Sequence, residues 1–576
     1  MPKSRNEETV TQSEILKKYG MSKNMMDRYL PKPIVKQGRR RGGGWYYSRC
    51  WLVSDVEQAV KKPEVRALIE RRDSEIRGQR QLEEARTLLI SYNPEAMVQK
   101  AKDLKRCFVL HVGPTNSGKT YDAVKALQES GCGTYLGPLR LLALEMFDKL
   151  NAADVKCSLV TGEEQILTDD AQVVSSTVEL CDYHRHFKVA VIDEAQLITD
   201  SDRGSAWFKA ICSVDAEQVH ICLAPEALGI IEKLVQEFGD PYNVVMHERL
   251  VPLQYSGRCR GFKDIHPGDA IICFSRASVL STAALMERNG FKASVIYGAL
   301  PPVARRNEVA RYLAGDTNII VATDAIGMGI SLPIRRVVFA ETQKFDGKER
   351  RPLLPSEVRQ IAGRAGRYGM FDLGEVLTMD STDTVSKGLN NQPRSVRRLC
   401  LAFPKEVLST EYPLDILLKA WQSLPDGRTF HREDVKDALT LYYMLGGMVN
   451  GKDRELVYDL ITCPVDSQSR DLLYYWADCA RAILRGRRIP FPPFGTDTLQ
   501  ECELQYKAFD IRHQLMMRIG KPDSTEAERN AICQRIAELM QQDKSGFIKK
   551  CTCCGRELPL GYAFNICEKC HSSGNG

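Results

Sequence analysis

The stretch Cys107–Thr120 reads CFVLHVGPTNSGKT. Phe108 to Val112 is a short apolar run that breaks at Gly113. From there the pattern is G-x-x-x-x-G-K-T, with Gly113, Gly118, Lys119 and Thr120 at its fixed positions. An apolar strand, a glycine turn and a following helix, Tyr121 to Glu129, are the context in which that pattern cradles phosphates. Glycines let the backbone curl so that successive N–H groups point inward. The loop Gly113, Pro114, Thr115, Asn116, Ser117 and Gly118 is therefore predicted to line a nucleoside triphosphate. Lys119 is placed to reach the β- and γ-phosphates and Thr120 to ligate Mg²⁺. The helix start adds a favourable dipole end.

Downstream, to about residue 245, short apolar strands alternate with helical patterns, as in a parallel sheet covered on both faces. The decisive segment is VAVIDEAQLI, residues 189–198. It reads as a buried strand with Asp193 and Glu194 at its carboxyl end, where open α/β sheets place ligands. Asp193 suits Mg²⁺ held through water, and Glu194 suits the polarisation of an attacking water. A second α/β unit spans about 246 to 380 without a phosphate loop. It carries VATDAIGMGISL (321–332) and QIAGRAGRYG (360–369). Gln360, Arg364 and Arg367 fall at i, i+4 and i+7, so a continuous helix would project all three from one face. Arginine there would supply a permanently charged fork to a triphosphate across a cleft.

The 576 residues suffice for three to five domains at roughly 100–200 residues each. A hydrophobic content of 43% with 27% charged residues is globular. No apolar run is long enough to span a bilayer. The N-terminus MPKSRNEETV has no signal-peptide core, and its glutamates argue against a transit peptide. The expected location is cytoplasmic. Without a secretion signal, the 19 cysteines read as reduced thiols. The net charge of +6 permits a nucleic-acid partner.

Outside the α/β core, residues 1 to about 62 read as a separate module. Thr11-x-x-Glu14 is a capping box for a helix ending at Gly20, and Ser22 caps a second helix that Pro31 stops. A basic, aromatic hairpin follows, KQGRRRGGGWYYSRCWL (36–52), and Ser54-x-x-Glu57 is predicted to cap a third helix. The order resembles winged-helix modules. It implies a helix laid in a groove and Arg39, Arg40, Arg41 and Arg49 on phosphates; a protein-contact module is the other reading. Residues 63–104 read as a helical connector packed on the α/β core, and 381–546 as a helical domain helping to enclose a strand. The tail, 547–576, holds Cys551-x-x-Cys554 and Cys567-x-x-Cys570, the spacing of a tetrathiolate zinc ribbon, with Cys553 and His571 as nearby spares. A disordered thiol-rich tail or a redox pair is the alternative. Lys549, Lys550, Arg556 and Lys569 surround the cluster.

GPTNSGKT, DEAQ, VATDAIGMGI and QIAGRAGR, in this order, resemble the two tandem RecA-like domains of superfamily-two helicases. YLGPLRLLALEMFDKLNAADV, LVTGEE, ERLVPL, PGDAIICFSR and SVIYGALPPVARR narrow the resemblance to the ATP-dependent RNA helicase family of the mitochondrial RNA degradosome and its bacterial relatives. The resemblance covers about residues 105 to 380. It implies ATP as the nucleotide and RNA as the substrate, with DNA or an RNA–DNA hybrid as alternatives, and it implies a nuclease partner. It implies Gln196 as a γ-phosphate sensor, Arg364 and Arg367 as arginine fingers, and Gln360 at the γ-phosphate or its attacking water. Thr323 and Asp324 would link strand and nucleotide, while Gly327 and Gly329 allow close backbone approach. Arg140, Thr161, Thr177 and Ser275 would grip the sugar–phosphate backbone. The expected activity is ATP-driven unwinding or translocation. The alternative is an ATPase switch or DNA-acting motor recruited by the two terminal modules.

Overall fold

The computed structural model describes residues 8–39, 45–92, 95–162, 164–327, 332–347, 349–380, 382–521, 523–542, 544–558 and 566–572. It divides into two compact units, Met1–Tyr92 with Glu406–Leu424, and Asn93–Lys405 with Pro425–Gly576.

The first unit starts with β1 (Thr9–Thr11), α1 (Gln12–Tyr19) and α2 (Lys23–Tyr29). The Thr11–Glu14 capping box is formed, and Gly20 closes α1 at φ +71°. A Cβ there would lie 2.9 Å from Ile69, so the turn needs glycine twice over. Ser22 accepts from the Met25 N–H at the start of α2. A hairpin, β2 (Ile34–Arg39) and β3 (Trp45–Leu52), joins β1 in an antiparallel sheet of order β1-β3-β2. Ile15, Met21, Met26, Trp51 and Val56 form the small core, and the Trp51 indole donates to the Pro31 carbonyl at 2.9 Å. Arg49 pairs with Asp27, and Arg39 lies over the Trp45 ring. Arg40 and Arg41 lie outside the described residues. The predicted Ser54 cap is not formed. α3 (Val53–Lys61) starts one residue earlier with no side-chain cap, because β3 runs straight into it. α4 (Pro63–Ser91) packs its Val65 end into that core and lies along the Leu414–Ser423 helix of the same unit, where Arg86 donates to Ser423 at 2.8 Å. The predicted connector therefore does not act as one piece.

The second unit opens with α5 (Glu95–Ala101), whose Val98 and Ala101 enter the core of the first α/β layer. In that layer follow β4 (Cys107–Val112), α6 (Lys119–Ser130), β5 (Gly133–Gly137), α7 (Arg140–Ala152), β6 (Cys157–Val160), β7 (Gln165–Ile166), β8 (Val173–Thr177), β9 (Phe187–Ile192), α8 (Gly204–Ser213), β10 (Ala216–Leu223), α9 (Leu228–Phe238) and β11 (Tyr242–Met246). The strand order is β11-β4-β10-β9-β5-β8-β6-β7, with only β7 antiparallel. Strands buried on both faces are apolar nearly throughout, which is why Val189–Ile192 is an unbroken hydrophobic run and Val219–Leu223 is broken only by the buried His220.

The second layer contains β12 (Leu253–Arg258), β13 (Asp269–Ile272), α10 (Arg276–Arg288), β14 (Ala293–Ile296), α11 (Pro302–Leu313), β15 (Ile319–Ala322), β16 (Arg336–Phe339), a hairpin of β17 (Gln343–Phe345) and β18 (Arg350–Pro352), α12 (Pro355–Ala362) and β19 (Gly374–Thr378). Its sheet is all parallel, in the order β12-β19-β16-β13-β15-β14. The two layers are the tandem parallel sheets that the motifs imply.

Residues 381–546 are distributed rather than gathered into one domain. α13 (Thr384–Asn390) packs on α12. The short parallel pair β20 (Leu399–Leu401) and β21 (Phe430–Arg432) packs on the first layer. α14 (Leu414–Ser423) is the helix already placed in the first unit. α15 (Lys436–Leu445), α16 (Arg454–Ile461), α17 (Arg470–Leu484), α18 (Leu499–Arg518) and α19 (Glu526–Gln541) follow. Cys502, Tyr506 and Phe509 of α18, with Ile532 and Ile536 of α19, complete the core of the second layer. α20 (Glu568–Ser572) lies in the tail. Among the described residues no helix is long and apolar enough to cross a membrane.

Arg106 shows what holds the first layer's edge. Its guanidinium is buried, donates to the Ile211 and Val214 carbonyls at 2.8 and 3.2 Å, and lies over the Phe108 and Phe238 rings. It thereby caps the carboxyl end of α8. Asp240 stands 3.5 Å away and is buried as well. Arg106→Ala should strand that carboxylate and cost about 3–5 kcal/mol. Thermal denaturation of the full chain should show a clear fall in melting temperature; an unchanged one would contradict the capping role.

Candidate nucleotide site and nucleic-acid face

β4 hands the chain to the phosphate loop at Gly113, whose N–H donates to the Leu223 carbonyl at 3.2 Å. A Cβ at Gly113 would meet the His247 carbonyl at 2.6 Å and Ser117 Oγ at 2.7 Å, so only glycine fits. Asn116 and Gly118 adopt left-handed conformations, φ +63° and +84°, and curl the loop so that α6 starts at Lys119. The Lys119 side chain is buried, and its Nζ donates to the Pro114 carbonyl at 3.2 Å. Behind the loop runs a row of histidines. His111 lies between His247, 3.0 Å away, and His220, 2.9 Å away. Burial pulls His111 down to about 4, so the imidazole at the centre of the row is neutral at neutral pH.

Two strands along, β9 ends at Ile192 and presents Asp193 and Glu194. The Thr120 hydroxyl donates to Asp193 at 3.2 Å, the Tyr135 hydroxyl at 2.9 Å and the Glu194 N–H at 2.9 Å. Burial first, and the Glu194 charge second, push Asp193 up to about 6, against the pull of Lys119. Glu194 itself is left-handed at φ +51°. Gln196 donates to Glu194 and accepts from the Ala224 N–H at 3.1 Å. One side chain thus ties the acid pair to the loop after β10. Residues predicted from two separate motifs converge here on the carboxyl edge of one sheet.

The second layer meets this edge with a turn, not with a helical face. α12 carries Gln360 in its last turn and ends at Ala362; Arg364 and Arg367 lie beyond it. The i, i+4, i+7 expectation failed because the two glycines prevent a continuous helix. Gly366 is left-handed at φ +73°, and a Cβ there would come within 2.8 Å of Gly374. Arg364 donates to the Gly327 carbonyl at 3.1 and 2.6 Å. Burial lowers its pKa, and the charges of Glu194, Glu145 and Asp193 oppose that shift. Arg367 is half-buried in the same turn. Asp324 accepts from Lys344 at 3.3 Å, Thr323 Oγ1 accepts from the Ala325 N–H, and Gly327 lies against Gln360. Gly329 lies outside the described residues.

The phosphate loop and this turn touch. Asn116 donates to the Gly366 carbonyl at 2.7 Å, and a Cβ at Gly363 would come within 2.7 Å of Thr115. Arg249 spans both sides, donating to Thr115 and Gly363 carbonyls at 2.9 Å each and also to that of Ala365. Burial pulls it down to about 10, still charged at neutral pH. Sequence reading missed Arg249, Tyr135 and the histidine row. Only ERLVPL, lying between the two α/β halves, hinted at the first.

The five strand-gripping candidates occupy other parts of the same edges. Arg140, Thr161 and Thr177 follow or end β5, β6 and β8, the half of the first sheet away from β4. Ser275 caps α10 after β13, and Thr323 follows β15. α18 reaches both layers. Its Asp510 pairs with Arg140 at 3.4 Å and its Glu503 with Arg276 at 2.6 Å, two acids seven residues apart on one helix face.

In the tail, Cys551, Cys554, Cys567 and Cys570 bring their sulfurs within 4.8 Å of one another. Cys554 and Cys567 are 3.7 Å apart, and every cysteine is a free thiol. Cys553 and His571 are not in this group. Backbone N–H donors, that of Cys567 first, pull Cys551 down to about 6 and so favour its thiolate.

Comparison with known proteins agrees with this geometry. Residues 94–247 match the DEXQ-box helicase domain of Suv3, and residues 257–369 match the helicase conserved C-terminal domain. The chain is 33% identical over 471 residues to the mitochondrial ATP-dependent RNA helicase SUV3 of Oryza sativa subsp. japonica, covering 77% of this chain and 81% of that one. It is 41% identical over 474 residues to the mitochondrial DExH-box ATP-dependent RNA helicase DExH16 of Arabidopsis thaliana, covering 77% and 82%. The human mitochondrial ATP-dependent RNA helicase SUPV3L1 is 41% identical over 298 residues, 49% of this chain and 38% of that one. These names overturn the cytoplasmic expectation, since each relative is a mitochondrial protein by name; a polar N-terminus was too weak a signal to assign a compartment. With both helicase regions matched and relatives spanned over four-fifths of their length, the chain belongs to the Suv3 family of superfamily-two ATP-dependent RNA helicases, enzymes that hydrolyse ATP to drive nucleic-acid unwinding.

Proposed function

We propose that ATP is hydrolysed where the phosphate loop, the acid pair and the Gly363–Arg367 turn converge. The observation that carries this is the bonding of the phosphate loop to the turn that holds Arg364, through Asn116 on the Gly366 carbonyl and Arg249 on the carbonyls of Thr115 and Gly363. Gly113 to Gly118 wrap the phosphates, and Lys119 releases Pro114 to take the β- and γ-phosphates. Thr120 and Asp193, bonded to each other, fit a shared Mg²⁺, which would neutralise charge on the triphosphate. Glu194 polarises the attacking water, with Gln360 beside it. Gln196 reports the γ-phosphate to the loop after β10. Arg364 and Arg367 stabilise the charge that develops in transfer. Asp324 and Gly327 complete the pocket from the second layer.

The strand would run along the remaining edge, on Arg140, Thr161, Thr177, Ser275 and Thr323, with its backbone displacing the Asp510 carboxylate from Arg140. Such contacts ignore base identity, as a motor on RNA requires. The N-terminal helix-turn-helix and hairpin fit a winged helix that engages nucleic acid with Arg39 and Arg49. The nuclease partner follows from the family resemblance. A switch that hydrolyses without unwinding loses ground to relatives named as helicases.

We assign Zn²⁺ to the four tail cysteines, as a zinc ribbon. Zn–S bonds of about 2.3 Å in a tetrahedron put sulfurs about 3.8 Å apart, which the 3.7 Å Cys554–Cys567 separation fits.

Glu194→Gln should bind ATP normally and lose hydrolysis, whereas Lys119→Ala should weaken binding too. Nucleotide titration beside a phosphate-release assay decides, and substantial turnover by Glu194→Gln would remove Glu194 as the base. Arg364→Ala should lower turnover on the order of 10³-fold with little change in ATP affinity, because the charge it meets develops in the transition state. Equal losses in both would make it a ground-state ligand. For the tail, metal analysis should find one zinc per chain at neutral pH, lost on acidification as the thiolates protonate and absent from Cys551→Ser. Purified protein without metal would end the zinc assignment.

A further inference from the structure

Residues 544–558 do not hang free of the second α/β layer. Lys544 pairs with Glu287 at 2.6 Å, and Arg288 reaches both carboxylate oxygens of Glu557 at 2.9 Å. Ile548 is buried, and Phe547 packs on the core of that layer. Between these anchors Lys549 is fixed at both ends of its peptide unit. Its N–H donates to Ser281 Oγ of α10 at 3.0 Å, and its carbonyl accepts from the Leu558 N–H at 2.8 Å. Leu558 packs directly on Cys551 and Cys567. The four-cysteine knuckle therefore sets where the Lys549 side chain goes.

That side chain lines a cavity of about 230 Å³ at the carboxyl edge of the second sheet, walled by Phe274, Ser275, Ser278, Phe345 and Arg350. The volume is below the roughly 300–1,000 Å³ of pockets for drug-sized ligands, and it suits one sugar–phosphate unit. Glu341 lies at its base, engaged by the Phe274 N–H at 2.8 Å and the Ser278 hydroxyl at 2.7 Å. Lys549 feels two opposed charges here, the attraction of the Glu341 carboxylate and the smaller repulsion of Arg350. With Lys344, Lys549 and Arg350 make three cations lining one cavity, so a phosphate seated there is attracted from its walls. The exposed Phe345 ring offers a stacking face beside them. Lys549 lies outside both matched helicase regions, so the helicase motifs do not account for its place here.

We propose that this cavity is a phosphate subsite for the single RNA strand, with Arg350 and Lys549 as its cationic pair and the four-cysteine knuckle as the device that holds Lys549 in place. The subsite extends the strand-gripping edge past Ser275 and rests on the RNA reading above. The knuckle then acts as a clasp on the second layer: metal fixes the clasp, and the clasp completes the grip.

The test is anisotropy of a fluorescein-labelled oligouridylate with the full-length protein across a salt series. Lys549→Glu and Arg350→Glu should each weaken binding on the order of tenfold and flatten the salt dependence by about 0.7 per lost phosphate contact. Lys233→Glu, the same charge change on exposed α9, should leave affinity and slope as they are. Cys551→Ser should lose metal and weaken RNA to the same degree as Lys549→Glu, which should keep its metal. Unchanged affinity and slope in Lys549→Glu would overturn the subsite. So would a loss in Cys551→Ser that Lys549→Glu does not share. A wild-type protein that bound no oligouridylate at all would instead remove the RNA reading on which the subsite rests.

Discussion

The structure turns on one point of contact, where the phosphate loop of the first layer meets the glycine-bounded turn of the second. Asn116 reaches the Gly366 carbonyl, and Arg249 holds carbonyls on both sides with a buried, still charged guanidinium. Backbone carbonyls are an economical target for such a latch. They carry no charge to neutralise, so Arg249 remains a cation beside a site built for anions. The contact also explains one glycine. Gly363 lacks room for a Cβ because Thr115 of the phosphate loop lies against it, whereas Gly113 is crowded by His247 and Ser117, and Gly366 by Gly374 and Val251, within their own layers.

Sheet order then allots the work. β10 lies between the phosphate-loop strand β4 and the acid strand β9, so Gln196 can bind the loop after β10 while touching Glu194. The nucleotide groups cluster on β4, β10 and β9, and the strand-gripping candidates follow β5, β8 and β6. One edge thus presents both groups of candidates side by side, since β9 and β5 are neighbours in the sheet. α18 closes the arrangement from outside, its Asp510 and Glu503 engaging an arginine from each layer.

Much of this was legible in sequence because phosphate chemistry is local. G-x-x-x-x-G-K-T and the acid pair work through main-chain geometry and adjacent side chains, and their spacing survives any context. The paired cysteines were legible for the same reason. What sequence did not show depends on packing between distant segments. Tyr135 lies in an ordinary buried strand, and only the parallel register beside Val191 brings its hydroxyl to Asp193. Arg249 and the His111–His220–His247 row draw on segments more than a hundred residues apart. The misplaced helix through Arg367 came from trusting periodicity over the two glycines that interrupt it. The Ser54 cap failed similarly, since a strand feeding directly into a helix leaves no capping position for it.

If ATP is hydrolysed where the phosphate loop and this turn meet, as proposed, Arg249 serves hydrolysis by fixing the turn that carries Arg364. Single-turnover ATP hydrolysis in a double-mutant cycle tests it most directly, with Arg249→Ala, Arg364→Ala and the pair compared at saturating RNA. If the two act as one device, Arg249→Ala should slow the wild-type background strongly and the Arg364→Ala background hardly at all. The same loss in both backgrounds would contradict the account, because Arg249 would then act on the nucleotide site without the turn.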